Sequence, residues 1–166
     1  KTSTNGTLLC AEPASSTTFP ELFPAPHPPV DLFNNGVTNL TFENWWPLDP
    51  GMGGGIQVTG QIYFGGKNVW FAHGGSAEAV DLTDVQRIEF DAFASAENLG
   101  RCGVSVNAPK SSEAKLDRYV VAPTTRGVIS LHVADLTGEY HIGFGASGGP
   151  KPDICSMYCY RITLIY

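Results

Sequence analysis

Residues 128–147 carry the clearest hydrophobic pattern in the chain. Ile129, Leu131 and Val133 alternate with Ser130, His132 and Ala134, and beyond a turn Tyr140, Ile142 and Phe144 alternate with His141 and Gly143. Alternation with period two on both sides of Asp135-Leu136-Thr137-Gly138 predicts two half-buried strands joined as a hairpin or around a corner. A weaker copy lies upstream, where Asp81-Leu82-Thr83 precedes Ile88, Phe90 and Ala92 on one face of a run that ends at Phe93. The repeated phrase predicts one sandwich that uses the same device twice.

Residues 1–29 contain Pro13, Pro20, Pro24, Pro26, Pro28 and Pro29, which exclude a helix and any central strand. This segment is expected to be an extended arm. Phe19, Leu22 and Phe23 would anchor it on its own domain or on a neighbour. Residues 30–166 are expected to form a single domain with strands near 31–33, 40–46, 56–64, 69–72, 87–93, 102–106, 119–121, 128–133, 140–144 and 160–165. The run 56–64 and its return at 69–72 read as a hairpin around Gly65-Gly66-Lys67-Asn68, while 47–55, His73-Gly74-Gly75-Ser76 and Ser147-Gly148-Gly149 read as loops. In the last strand Tyr160, Ile162, Leu164 and Tyr166 share one face, and a strand this apolar is expected to be paired on both sides. No amphipathic helix longer than two turns is visible. The fold class is therefore all-β, an antiparallel, jelly-roll-like β-sandwich of about eight to ten strands with a Pro-rich N-terminal arm. Its core is expected to hold Ile88, Phe90, Ile129, Leu131, Tyr140, Ile142, Phe144, Ile162 and Leu164.

Composition supports this class and narrows the partners. With 166 residues, 42% of them hydrophobic, the chain is long enough to bury a core without staples. Charged residues make up 16%, and 19 Gly with 12 Pro fit a loop-rich β domain. A formal net charge of −6 with scattered Lys and Arg argues against a nucleic-acid partner. No apolar run approaches the roughly 18 residues of a membrane span, so no membrane insertion is expected. The chain begins at Lys1, as a processed product or an excised fragment would.

Candidate chemistry is sparse. Cys10, Cys102, Cys155 and Cys159 allow three disulfide connectivities, four buried thiols, or a zinc site that lacks a second close pair. If the chain matures in an oxidising compartment, a bridge from Cys102 to one of the C-terminal pair is expected. A bridge between Cys155 and Cys159 would have to close a gap of about 13 Å in an extended run, beyond a disulfide's reach of about 7 Å. His27, His73, His132 and His141 lack the spacing of a strand-borne metal set, and His132 and His141 read as outward-facing polar positions. The acids offer candidates for a glycosidase pair, yet none stands out, and Asp81 and Asp135 are better explained as turn formers. No Gly-x-Ser-x-Gly occurs. No cofactor is expected. Asn5-Gly6-Thr7 and Asn39-Leu40-Thr41 have the spacing of N-glycosylation acceptors, a pattern short enough to arise by chance.

Aromatics carry the binding hypothesis. Trp45 and Trp46 are adjacent on a predicted strand and must point to opposite faces, so one of them faces outward or lies under the arm. Trp70, between Val69 and Phe71, has the same ambiguity. A Trp beside a Gly-rich loop is a platform on which the apolar face of a sugar ring can stack. Covered indoles packed by the core and by residues 19–23 are the alternative.

The phrase Asp81-Leu82-Thr83 with Ile88 and Phe90, the later stretch from Asp135 to Phe144, and the closing run Arg161-Ile162-Thr163-Leu164-Ile165 together resemble jelly-roll modules of bacteriophage tail and adsorption proteins and of related bacterial surface proteins. They are also similar to galactose-binding-like and carbohydrate-binding β-sandwich domains. The resemblance covers roughly residues 55–166 and implies a fold more specifically than a function. With no nucleophile motif, metal set, phosphate loop or basic patch in the sequence and aromatics beside Gly-rich loops, the expected role is a non-catalytic recognition or adhesion module, extracellular or on a virion, with a glycan as ligand and Trp45, Trp46 and Trp70 as its platform. The alternative is a structural virion or filament subunit, a capsid, decoration or tail protein whose arm docks into other copies or other virion or surface proteins.

Overall fold

A computed structural model describes residues 27–45, 54–66, 71–95, 101–107, 116–147 and 155–166. Thirteen strands occur among them and no helix. They are β1 (Val30–Asn34), β2 (Val37–Thr38), β3 (Phe42–Asn44), β4 (Gly54–Val58), β5 (Ile62–Gly66), β6 (Phe71–Ser76) and β7 (Val80–Asp81). The chain continues through β8 (Arg87–Ala94), β9 (Arg101–Asn107), β10 (Leu116–Val121), β11 (Gly127–His132), β12 (Glu139–Ser147) and β13 (Cys155–Ile165). The count exceeds the expected eight to ten because the two-residue strands β2 and β7 were not foreseen and the run at 56–64 is two strands, β4 and β5.

The strands form two antiparallel sheets. The first runs β11-β8-β13-β1-β2, with β5 and then β4 continuing beside β13; the second runs β10-β9-β12-β6-β3, with β7 against the start of β12. β13 pairs with β8 along one edge, and along the other with β5 over Cys155–Cys159 and with β1 from Arg161 to Leu164. The most apolar strand thus has no open edge, as its sequence demands. The β1–β2 hairpin turns on Asn35 (φ 47) and Gly36 (φ 92), the Asn-Gly pair that a tight two-residue turn requires.

Between the sheets lies the core. Ile88, Phe90, Ala92 and Ala94 are buried while Arg87, Glu89, Asp91 and Phe93 are half-buried on the outer face, a clean period-two strand. Ile129, Leu131, Ile142, Phe144, Ile162 and Leu164 are buried as their patterns predict, and Tyr140 is half-buried against them. Phe144 of the second sheet meets Phe64 of the first at a ring separation of 6.1 Å, and Phe42 of the second meets Phe33 of the first at 6.3 Å, so aromatic contacts tie the two sheets together.

The two Asp-Leu-Thr phrases are corners rather than hairpins. β11 belongs to the first sheet and β12 to the second, so the second phrase carries the chain between layers; the first phrase does the same from β7 to β8. Leu82 and Leu136 are both buried, each plugging a corner. Each phrase ends on a left-handed residue, Asp84 (φ 66) and Gly138 (φ 86), where Gly and Asp are among the residues tolerated. The corners also bind each other: the Leu82 N–H donates to Gly138 O at 2.8 Å, and the Gly138 N–H donates to Thr83 Oγ1 at 3.1 Å. Asp81 Oδ1 accepts the Thr83 N–H at 2.9 Å, the expected turn-forming role. Asp135 instead pairs with Arg118.

Three local expectations are corrected. Residues 56–64 are not one strand, because the chain reverses at Thr59-Gly60-Gln61 and β4 pairs with β5; of the return expected at 69–72, Phe71 and Ala72 belong to β6, in the other sheet, and 69–70 lie outside the described residues. Gly74-Gly75-Ser76, read as a loop, lies within β6. A bulge between Cys159 and Arg161 shifts the register of β13, so Met157, Cys159, Ile162 and Leu164 face inward while Tyr160 turns out with Tyr158.

Candidate functional site

The outer face of the second sheet is short of side chains. Tyr119, Ser105, Gly143, Gly75 and Glu43 stand opposite one another on β10, β9, β12, β6 and β3, one row across five strands. Four inter-strand steps make it about 19 Å long. In the next row Gly103 pairs with Gly145. Glycine weakens a strand interior, and its use there marks close approach by something else. That something is aromatic. A Cβ at Gly75 would fall 2.5 Å from the six-membered ring of Trp45, one at Gly143 would fall 3.0 Å from the same ring, and one at Gly103 would fall 2.5 Å from the ring of Tyr119. The glycines leave the space these two half-buried rings occupy.

Polar groups converge on the same spot. Ser105 Oγ and Asn107 Nδ2 lie 2.3 and 2.4 Å from the point where a Gly143 Cβ would sit. Asn107, buried with Ser105, donates to Ser105 Oγ at 2.9 Å, while its Oδ1 has no hydrogen-bond partner among the described residues. Such a buried orphaned acceptor marks a place where an ordered water belongs. His141 was expected to face outward as an ordinary polar residue. It does point to the outer face, but it is buried, with Trp45 edge-on to its ring at 5.9 Å. Its Nδ1 donates to the Ser76 carbonyl at 2.9 Å. Nearby, the Thr41 N–H holds the Glu78 carboxyl below its ordinary range, with a smaller pull from His141.

A second aromatic surface covers the first sheet. Tyr63, Tyr158 and Phe93 are in register across β5, β13 and β8, with Tyr160 beside them. Phe93 lies 5.1 Å from Tyr158 at 20° and 6.4 Å from Tyr160 at 12°. Rings that close and that nearly parallel cover one another's faces. The Arg126 guanidinium sits 3.7 Å over the Tyr160 ring, held there by two bonds to Asp91 at 3.0 and 2.6 Å. This Arg126 contact keeps the Asp91 carboxyl below the usual range. Phe93, Tyr158 and Tyr160 therefore spend ring faces on one another, while Tyr63 meets Tyr158 tilted at 56°.

Of the residues singled out in sequence, Trp45 is in the site. Trp46, Trp70 and Cys10 lie outside the described residues, as do residues 1–26 and the Cys155 side chain. Cys102 is disulfide-bonded and Cys159 is a free, buried thiol. Among the described residues no group of three or more His, Cys, Asp or Glu could hold a metal ion. Tyr119, Ser105, Asn107 and Glu43 were not recognised from sequence. The available signal was the alternation of Gly103, Gly143 and Gly145 with Cys102, Val104 and Phe144, a strand pattern whose outward side chains are missing.

No protein-family model matches the chain, and no curated protein matches it. Among solved structures, a mutant of a family 29 carbohydrate-binding module superposes over 83% of this chain and 91% of its own, with a TM-score of 0.54 and 13% identity. That likeness shows the fold, a β-sandwich. A family two carbohydrate esterase from Cellvibrio japonicus matches over 85% of this chain and 33% of its own at TM-score 0.43 and 12% identity. Accessory secretory proteins of Streptococcus pneumoniae match over 76% and 96% at TM-score 0.40 and 14% identity.

Proposed function

We propose that this chain is a non-catalytic glycan-recognition module and that the glycan lies along the row from Tyr119 to Glu43, against Trp45. The observation that carries the reading is the seat of Trp45, an indole set on a strip of sheet cleared of side chains, with the Ser105–Asn107 pair converging beside it. A sugar ring needs one apolar face to stack and several hydroxyls to bond. The rings of Trp45 and Tyr119 answer the first need, and Glu43, half-buried at one end of the row, offers carboxylate oxygens for the second. A sandwich fold shared with a carbohydrate-binding module supports the same choice. Glu43 at one end of the row and the formal net charge of −6 favour an uncharged glycan over a polyanionic one.

The setting we propose is extracellular, because a lasting disulfide such as that of Cys102 belongs to an oxidising compartment. Stacking sites are weak singly, so residues 30–166 would serve as the binding domain and residues 1–29 as a connector that presents several copies together.

The test is an array of neutral and acidic glycans followed by calorimetry on the hits. Trp45→Ala and Tyr119→Ala should each weaken binding about 10- to 100-fold, the loss of a central aromatic contact, while thermal melting shows the sandwich still folded. A folded Trp45→Ala protein that binds as the wild type does, or an array silent to neutral glycans, overturns the reading.

A further inference from the structure

The connector between β2 and β3 has a use that the glycan-binding face does not absorb. Residues 39–41 read Asn-Leu-Thr, the acceptor spacing for N-linked glycans. The fold holds this triplet by its backbone and leaves its polar side chains outside. The Leu40 N–H donates to Thr38 Oγ1 at 2.9 Å, and the Leu40 side chain packs on the core. The Thr41 N–H donates to Glu78 Oε2 at 2.7 Å, and the Thr41 carbonyl accepts from the Ala77 N–H at 2.8 Å. Asn39 and Thr41 are both exposed. Asn39 also borders an open depression of about 460 Å³ shared with Asp31, Asn34, Val37 and Thr38. Val37, 77% exposed, is the most exposed large hydrophobic side chain among the described residues.

We propose that Asn39 is an N-glycosylation site whose first sugar lies in this depression over Val37. In the transfer, Asn39 Nδ2 attacks the anomeric carbon of a lipid diphosphate-linked oligosaccharide. The new N–C bond forms as the bond from that carbon to the diphosphate oxygen breaks; the lipid diphosphate leaves with the bonding pair, and the amide gives one proton to a base of the transferase. The donor and the transferase belong to a eukaryotic secretory compartment, the kind of oxidising environment in which the Cys102 disulfide persists. The proposal is independent of what the second sheet binds.

The experiment secretes the full chain from eukaryotic cells in an Asn5→Gln background, which removes the other triplet, and weighs it before and after treatment with a peptide amidase that releases N-glycans. A mass excess removed by the amidase is expected, lost in Asn39→Gln and Thr41→Ala, and kept in Thr41→Ser, which preserves the acceptor. Import of the same variants into microsomes reads the transfer before folding, so a variant that fails to be secreted is still scored. A secreted or imported chain with no excess, or an excess that survives Thr41→Ala, overturns the site. Absence of nuclear Overhauser contacts between the Val37 methyls and the first sugar overturns its seat.

Discussion

Replacing Gly143 by Ala puts a methyl carbon 2.3 Å from Ser105 Oγ and 2.4 Å from Asn107 Nδ2. Both side chains are buried, so neither can swing into solvent. They must rotate together, and their 2.9 Å hydrogen bond is lost. Unmaking a buried polar pair costs about 1–3 kcal/mol, and overpacking adds about 1–3 kcal/mol. The stiffer unfolded chain returns about 0.4–1 kcal/mol, which leaves a net loss of roughly 1–5 kcal/mol. At Gly75 the obstacle is backbone, the Ile142 carbonyl at 2.1 Å, and at Gly103 it is the Val120 carbonyl at 2.3 Å. Backbone cannot rotate away, so these two substitutions should cost at least as much as that at Gly143. At Gly145 the nearest atom is a Tyr119 ring carbon at 3.5 Å, an ordinary contact, and Ala there should leave stability unchanged or raise it by up to about 1 kcal/mol. Urea unfolding with a constant slope reads the series, and for a chain of this size each kcal/mol moves the melting temperature by about 2–4 °C. Gly143→Ala should also weaken glycan binding, since its methyl falls 3.0 Å from the Trp45 ring. Gly143→Ala as stable as the wild type, or Gly145→Ala less stable than Gly143→Ala, would refute the claim that these glycines hold open the seat of Trp45.

Ile142→Ala and Leu164→Ala remove side chains buried in the core and should each cost about 2–5 kcal/mol in urea unfolding; a loss under about 1 kcal/mol at both sites would contradict the packing described. Acid should destabilise the fold through Asp91 and Asp81, whose carboxyls are lowered by bonds from Arg126 and Thr83 respectively. Groups with folded values below their unfolded ones contribute fully above the ordinary carboxylate range and lose that contribution as pH falls through the folded values, so melting temperature should drop below about pH 4. Asp91→Asn should flatten that limb, and an unchanged limb would remove Asp91 from the account. Burial pushes the Cys159 thiol up to about 12, so at neutral pH mass mapping should find it unlabelled by a thiol reagent in the native protein and labelled after denaturation. Labelling in the native state would show that this face of β13 opens.

The core was legible because one face of each strand is buried and the other is not. The pattern of β8 follows from that alone, and so does the position of β13, whose apolar faces leave no safe edge. The corners were half legible. Asp-Leu-Thr announces a turn, but whether the next strand pairs with the last or crosses to the other layer depends on Leu82 and Leu136 finding burial between the sheets, which no local pattern records. The bulge that turns Tyr160 outward was invisible for a related reason. A single inserted residue does not change the composition of a strand, only its phase.

The site was the least legible part, and the cause is physical. Gly74-Gly75-Ser76 looks like a loop because glycine is depleted in strands, where it costs about 0.5–1 kcal/mol relative to Ala. What reverses that judgement is the Trp45 ring, brought to Gly75 and Gly143 from the end of β3. The glycines are accommodated where the sheet is best supported: β12 is bonded by β9 on one side and by β6 on the other, so backbone hydrogen bonds hold the strand where side chains do not. The first sheet solves the opposite problem. Three of its outer aromatics, Phe93, Tyr158 and Tyr160, stack on one another, and Arg126 closes the end of the ladder over Tyr160. Two outer faces rich in aromatics are thus not equivalent. Stacking among Phe93, Tyr158 and Tyr160 consumes ring faces that a sugar would need, whereas Trp45 rests on bare backbone at Gly75 and Gly143, with the buried Ser105–Asn107 pair fixing the floor beneath it.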